Sequence, residues 1–417
     1  MPWKDVSLMS QREEFVGLAR HEGSNVRQLC RRFGISAKTG YKWLTRYAAG
    51  GTEALADHSR RPQGSPRQTP AALEAAVLAV RERHPAWGGR KIRARLRALG
   101  QTEVPAASTI TAILRRHGCI AAEEAQRHRA FERFEHPAAN DLWQMDFKGH
   151  VAMADGRRCH PLTVLDDHSR YAVGLRACAQ ERRATVQGEL IGLFRQYGLP
   201  RRMLMDNGSP WGDEGGQPYT ALTVWLLRLG VGISHGRPRH PQTQGKDERF
   251  HRTLKAEVLR YQTLADLGDS QRRFDAWRVV YNLHRPHEAL GMAVPASRYQ
   301  PSPRPYPEVL PAIEYAPGDV VRKAQDGGRF SYAGQEYRVG HAFRGYPIAL
   351  RATDVDGKRE VWFCHHCLGS LNLRAHKGRE AVVRPRRNEA AVGGGGRVPP
   401  TVAALPPAEP AHRRQGL

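Results

Sequence analysis

A chain of 417 residues with 40% apolar side chains can bury several cores and is too long for one ordinary domain. Lysine and arginine outnumber aspartate and glutamate by 65 to 41, a formal charge of +24, which favours a polyanionic partner with nucleic acid first. No run reaches the roughly 18 apolar residues of a spanning helix, Met1 to Phe15 carries no signal-like segment, and six scattered cysteines do not make a disulfide framework. A cytoplasmic location, reduced thiols and no membrane partner are therefore expected.

Phe15, Leu18 and Ala19 mark a first helical stripe, and Val26, Leu29, Cys30 and Phe33 a second. The turn Gly34-Ile35-Ser36 follows, with Ser36 placed to cap a third helix carrying Tyr41, Leu44 and Tyr47 on one side and Lys38, Thr39 and Lys42 on the other. Residues 1–58 thus read as a helix-turn-helix whose Lys38, Thr39 and Lys42 contact DNA, the plainer alternative being a three-helix bundle with a solvated basic face. A Pro-, Ser- and Arg-rich linker, 59–70, leads into a second module, 71–136, with stripes Leu73, Val77, Val80, then Ile92, Leu96, Leu99, then Ile110, Ile113, Leu114 after Ser108. Its middle helix is crowded with Arg90, Lys91, Arg93, Arg95 and Arg97; Arg90 and Lys91 are candidate DNA-backbone contacts, though such a run is often only a solvated face.

From 137 to 300 strand-like runs come first (Leu142 to Phe147, Leu162 to Leu165, Tyr171 to Leu175, with an Asp155-Gly156 turn), then helices and strands alternate, which predicts an α/β core with a mixed sheet flanked by helices. A Pro-rich linker, 301–316, precedes short strands separated by Gly and Asp-Gly turns over 317–375, consistent with a small β-barrel. Its Arg322, Lys323, Arg344 and Arg351 suit nonspecific DNA contact or an ordinary solvated surface equally. Cys364-His365-His366-Cys367 has zinc-like composition but no second ligand pair nearby, so the signal is weak. Residues 376–417, with Gly393 to Gly396 and several prolines, should be a disordered tail.

Three acidic residues stand where elements end or loops begin. Alternation in Trp143-Gln144-Met145-Asp146-Phe147 puts Asp146 on the face opposite Trp143 and Met145. Asp206 follows the apolar strand Met203-Leu204-Met205 and precedes the loop signal Asn207-Gly208. Glu248 shares a helix side with His251, Arg252 and Lys255, whereas Asp247 falls nearer the apolar side of Phe250 and Leu254. Carboxylates brought close repel unless cations neutralise them, and hard oxygen ligands suit Mg²⁺ or Mn²⁺. Two such ions would promote in-line displacement at phosphorus, with Arg252 and Lys255 holding the DNA backbone nearby. Taken singly, any one of 41 acidic residues is more often a surface charge. Asp166 and Asp167 are better read as a strand-end turn than as ligands, and His240 and His251 could touch DNA.

From about Trp143 to Leu290 the chain resembles the catalytic core of retroviral integrases and of related bacterial insertion-sequence transposases. The matching pieces are Trp143-Gln144-Met145-Asp146-Phe147, Leu165-Asp166-Asp167-His168-Ser169-Arg170-Tyr171, Met205-Asp206-Asn207-Gly208 and Pro241-Gln242-Thr243-Gln244-Gly245-Lys246-Asp247-Glu248-Arg249. Lys255 matches the family's DNA-contacting lysine, and Tyr281-Asn282 with Arg285-Pro286-His287 resembles its closing motif; Lys246 lies inside the matched stretch and joins the DNA-contact candidates. The resemblance implies an RNase H-like fold, an Asp146, Asp206, Glu248 triad holding two Mg²⁺ or Mn²⁺ ions, and element ends and target as DNA partners. It further implies a homodimer or larger assembly on DNA, in bacterial cytoplasm at the nucleoid. A catalytically silent DNA-binding regulator and a nuclease that only hydrolyses are the rival readings. Two departures stand out. Between Asp206 and Glu248 lie 41 residues, longer than the family's usual spacing, with Trp211 to Pro218 as the expected insertion. The His and Cys zinc module of retroviral integrases has no counterpart at this N-terminus.

Overall fold

The computed structural model describes residues 8–57, 69–120, 135–212, 219–236, 245–260, 263–374 and 381–385. The chain divides into two compact units, Met1–Pro70 and Ala71–Leu417. No helix among the described residues is long and apolar enough to cross a membrane.

In the first unit, α1 (Leu8–Ala19), α2 (Val26–Arg32) and α3 (Ala37–Gly50) enclose Phe15, Val16, Cys30, Trp43 and Leu55. Ser36 accepts the Thr39 N–H as the expected cap of α3. Gly34 turns the chain between α2 and α3 at φ +64°, which glycine adopts without strain. A Cβ at Gly40 would overlap the Cys30 sulfur, so at this position the packing of α3 on α2 requires glycine. The buried stripe of α3 is Gly40 and Trp43, and Tyr41, expected on the side away from Lys38 and Lys42, is 51% exposed.

The second unit opens with α4 (Ala71–Arg83), α5 (Gly89–Ala98) and α6 (Ala107–Arg116), packed through Val77, Trp87, Ile92, Leu96, Ile110, Ile113 and Leu114. Ser108 lies inside α6 rather than capping it, and Leu99 is exposed at the end of α5. This module rests on the core, where Val280 joins its apolar cluster and Arg95 Nη1 lies 3.5 Å from His284 Nδ1.

The core sheet runs β4 (Ala172–Cys178), β3 (Arg158–Asp166), β1 (Trp143–Phe147), β5 (Arg202–Met205), β6 (Gly232–His235), with β2 (Val151–Ala152) against the start of β3. β1 pairs antiparallel with β3 and parallel with β5, and β5 parallel with β6, giving the mixed sheet expected. On one face Trp143, Met145, Met203 and Met205 pack on α7 (Arg183–Tyr197) and α8 (Ala221–Arg228). On the other, Leu165 and Leu175 meet Phe250 and Leu254 of α9 (Gly245–Leu254) and Phe274 and Trp277 of α10 (Leu267–Val279). Each fully buried aliphatic or aromatic side chain contributes roughly 1.5–3 kcal/mol, so both faces hold the sheet to its helices.

Three expectations need correction. The stretch 301–316 is a strap, not a free linker: Leu199 donates its N–H to Arg304 O and Ser302 its N–H to Tyr197 O, both at 2.7 Å, and Tyr306 stacks on Phe194. The C-terminal strands form two sheets rather than a closed barrel. One is five-stranded and antiparallel: Arg384–Pro385, His366–Asn372, Lys358–Phe363, Pro347–Ala352 and Val320–Lys323. The other joins Ala381–Val382, Gln335–Arg338 and Arg329–Tyr332. The expected tail therefore begins later than 376, because residues 381–385 are held in these sheets; 386–417 lie outside the described residues. The pairs Trp362–Cys367 and Phe363–His366 make Cys364-His365 the tip of a hairpin, with Cys364 at φ +50°, so the cysteine and histidine run is a turn between strands. Trp211, placed by sequence in an insertion, is buried and stacks on Phe147; 213–218 lie outside the described residues.

Candidate active site

The β1–β5 register brings two acids together. Gln144 pairs with Leu204, and two residues further along each parallel strand stand Asp146 and Asp206. Asp146 points to the sheet face covered by α9. Burial first, and then the negative charge of Asp206, push its pKa up to about 7. Asp206 is raised too, chiefly by burial, while the Gly208 N–H, donating to its Oδ1 at 3.1 Å, and the nearby His235 oppose the shift. The loop behind it is pinned: His235 Nδ1 lies 2.8 Å from Asp206 O, and Asn207 Nδ2 donates to Gly236 O at 2.9 Å.

The apolar contacts of Phe250 and Leu254 set the phase of α9. They turn Asp247 inward, 1% exposed, and leave Glu248, one residue or 100° further round the helix, exposed. Neither carboxylate oxygen of Asp247 has a hydrogen-bond partner. Burial, then the charges of Asp146 and Asp167, raise its pKa well above the ordinary value. The structure thus brings Asp146 and Asp206 together with Asp247 in electrostatic reach, and leaves Glu248 on the solvent side. No three histidine, cysteine, aspartate or glutamate side chains among the described residues converge to enclose an ion, the Cys364–Cys367 run included.

His251, buried one turn after Asp247 and Glu248, carries a polar link that the sequence did not disclose. Its Nε2 lies 2.9 Å from Thr163 Oγ1 and its Nδ1 3.9 Å from Asp146 Oδ2, and burial lowers its pKa to about 4. Spacing in the sequence sets His251 on the side of Glu248, Arg252 and Lys255; the structure instead buries it with Asp247, Phe250 and Leu254, while Arg252 and Lys255 stay exposed. Asp166 and Asp167 behave as the strand-end turn expected. Asp166 accepts the N–H groups of Asn140 and Ser169, and Asp167 accepts the His136 N–H and the Gln144 amide.

The candidate DNA contacts separate by exposure. Lys38 and Lys42 lie open on α3, with Lys42 Nζ 4.6 Å from the Trp43 ring centroid, while the Thr39 N–H is spent on the Ser36 cap. Arg252 and Lys255 are exposed on and just after α9. Arg90 is exposed and 3.8 Å from Glu288. Lys91 and Lys246 are turned inward. Packing of α5 on the core lowers the Lys91 pKa to about 8, through burial and then Arg285, and Lys246 is ion-paired with Asp167.

Residues 11–63 match a helix-turn-helix domain and 39–114 a homeodomain-like domain; 136–241 and 229–295 each match an integrase core domain; 319–379 match the C-terminal domain of the IS481 family of transposases. An uncharacterized 31.7 kDa protein of insertion element IS407 from Burkholderia multivorans is 28% identical over 38% of this chain and 55% of its own. An uncharacterized protein of insertion element IS136 from Agrobacterium fabrum is 42% identical over 20% of this chain and 44% of its own. The chain thus spans about half the length of the curated relatives it matches. Among solved structures, the catalytic core domain of BIV integrase aligns over 38% of this chain and 92% of its own at 22% identity, with a TM-score of 0.29.

Proposed function

Because the chain is built of helix-turn-helix, integrase-core and IS481-family transposase C-terminal domains, we propose that it is a DNA transposase of an insertion element. It binds the terminal inverted repeats, cleaves the element ends and joins the freed 3′-hydroxyls to target DNA. The observation that carries this reading is the Asp146–Asp206 pair, set side by side by the register of two parallel strands and raised in proton affinity chiefly by burial, with the charge of Asp206 adding to the shift of Asp146. A half-buried pair of carboxylates offers only hard oxygen donors and carries a charge penalty that a divalent cation relieves, so these residues fit Mg²⁺ or Mn²⁺.

Asp146, Asp206 and Glu248 would hold two such ions, which when bound activate the attacking oxygen and stabilise the leaving one. Glu248 is the third member because it stands at the solvent side of α9, where DNA arrives, whereas Asp247 is buried. Exposed Arg252 and Lys255 hold the DNA backbone beside it, and Lys38 and Lys42 contact the element ends from α3. Lys91 and Lys246 brace the core instead. Joining two ends requires a dimer or larger assembly on DNA, and the work takes place at the nucleoid of a bacterial cell.

One observation favours a second reading. Glu248 stands apart from the Asp pair, as in a DNA-binding regulator that no longer catalyses. Labelled end DNA incubated with Mn²⁺ and the wild-type, Asp146→Asn or Glu248→Gln protein separates the readings. Joined products lost in both variants support the transposase; cut but unjoined ends indicate a nuclease; a retarded, uncut band indicates the regulator.

A further inference from the structure

We propose that His251 and Thr163 are a positioning pair that fixes the register of α9 against β1, and thereby sets where the helix carrying Glu248 meets the Asp146 carboxylate. The inference rests on the reading of Asp146 and Glu248 as site acids.

Thr163 stands directly opposite Asp146 in the β1–β3 pairing. Its Oγ1 donates to the main-chain carbonyl of Asp146 at 2.9 Å, since that oxygen can only accept. A hydroxyl has one proton, so the 2.9 Å contact with His251 must run the other way, with Nε2–H donating to Oγ1. The result is a directed chain from helix to strand, His251 to Thr163 to the Asp146 backbone, and it holds the imidazole edge 3.9 Å from Asp146 Oδ2. Both side chains are buried, at 8% and 0% exposure, where an unmade hydrogen bond is costly and a made one is strongly selective for geometry.

The apolar part of the α9 contact does not fix register. Phe250 and Leu254 meet Leu165, Leu175 and Phe274 through apolar surfaces, whose attraction is non-directional. Two polar contacts do fix it: Lys246 with Asp167, two residues before Glu248, and His251 with Thr163, three residues after it. Glu248 is therefore held from both sides, and the link at His251 reaches the strand at the residue that bears the first acid.

The test uses the full chain with Thr163→Val and His251→Leu, which keep approximate volume and remove the hydrogen bonds, and His251→Gln, which retains an N–H donor. Three quantities are read: turnover in end joining with Mn²⁺, Mn²⁺ affinity of the DNA-free protein by calorimetry, and end-DNA affinity together with the melting temperature. The expected result is a loss of about 10–100-fold in turnover and Mn²⁺ affinity for the Leu and Val variants, the size typical of outer-shell partners, with end-DNA affinity unchanged. His251→Gln should recover most of it, and the double variant should be no worse than either single one, because all break the same chain. Wild-type turnover and Mn²⁺ affinity in His251→Leu would overturn the pair, as would losses that track melting temperature with Gln no better than Leu. Mn²⁺ binding lost in Asp146→Asn but kept in His251→Leu overturns this inference alone; no Mn²⁺ binding by the wild type overturns it together with the reading of the site.

Discussion

At the scale of single residues, the third acid turns on 100° of helix. Asp247 and Glu248 are neighbours of similar chemistry, yet one is sealed without a partner and the other meets solvent. A buried carboxyl with both oxygens unsatisfied destabilises by about 1–3 kcal/mol. Asp247→Ala should therefore raise the urea midpoint of the protein and leave end joining intact, whereas Glu248→Gln should abolish joining without lowering the midpoint. The opposite pattern of activities would make Asp247 the third ligand. This much of the site was legible: the alternation around Asp146, the loop after Asp206, and the phase relation of Asp247 to Phe250 and Leu254 all follow from spacing. The Thr163–His251 link was not, because 87 residues separate the partners in the chain and nothing local marks either one as paired.

At the scale of elements, α5 shows the limit of reading charge from sequence. Its basic residues look alike in the chain, and long cationic stems pack against apolar surface as readily as they reach into solvent. The structure turns Lys91 inward and leaves Arg90 out. With the Lys91 pKa near 8 in the folded protein and near its ordinary 10.5 when unfolded, the unfolded chain holds the extra proton between those values. Raising the pH from 8 to 10.5 therefore removes a penalty that is fully present below 8, and stability gains from this group across that window. Lys91→Met should flatten that slope and add at most roughly 3 kcal/mol at pH 7, as read from urea midpoints between pH 7 and 10. An unchanged slope would mean that Lys91 is solvated and free for DNA. The C-terminal strand His366–Asn372 escaped the sequence reading for a related reason: its start lies inside a run of cysteine and histidine whose composition pointed to metal, while its hairpin geometry depends on pairing with Lys358–Phe363.

At the scale of the whole molecule, the order of modules was plain in the sequence, since helical and strand periodicities change where the chain does. The compactness of Ala71–Leu417 was not, because proline content made 301–316 look like a spacer when its backbone is in fact bonded to Tyr197 and Leu199. Met1–Pro70 has its own apolar cluster and its own basic helix. Residues 71–417 expressed without it should keep Mn²⁺ binding and bind end DNA more weakly, with a shallower dependence of log affinity on log salt, because fewer phosphates are neutralised. An unchanged salt slope would remove the first unit from the DNA interface.

The parallel pairing of β1 with β5 has a consequence for how such a chain can vary. Side chains alternate along a strand, so the acid pair is a matter of parity: deleting one residue upstream in either strand hands the inward position to a side chain meant for the opposite face. The same parity reaches β6, which pairs in register with β5 and holds the main chain of Asp206 through His235, so a one-residue slip there would disturb the second acid as well.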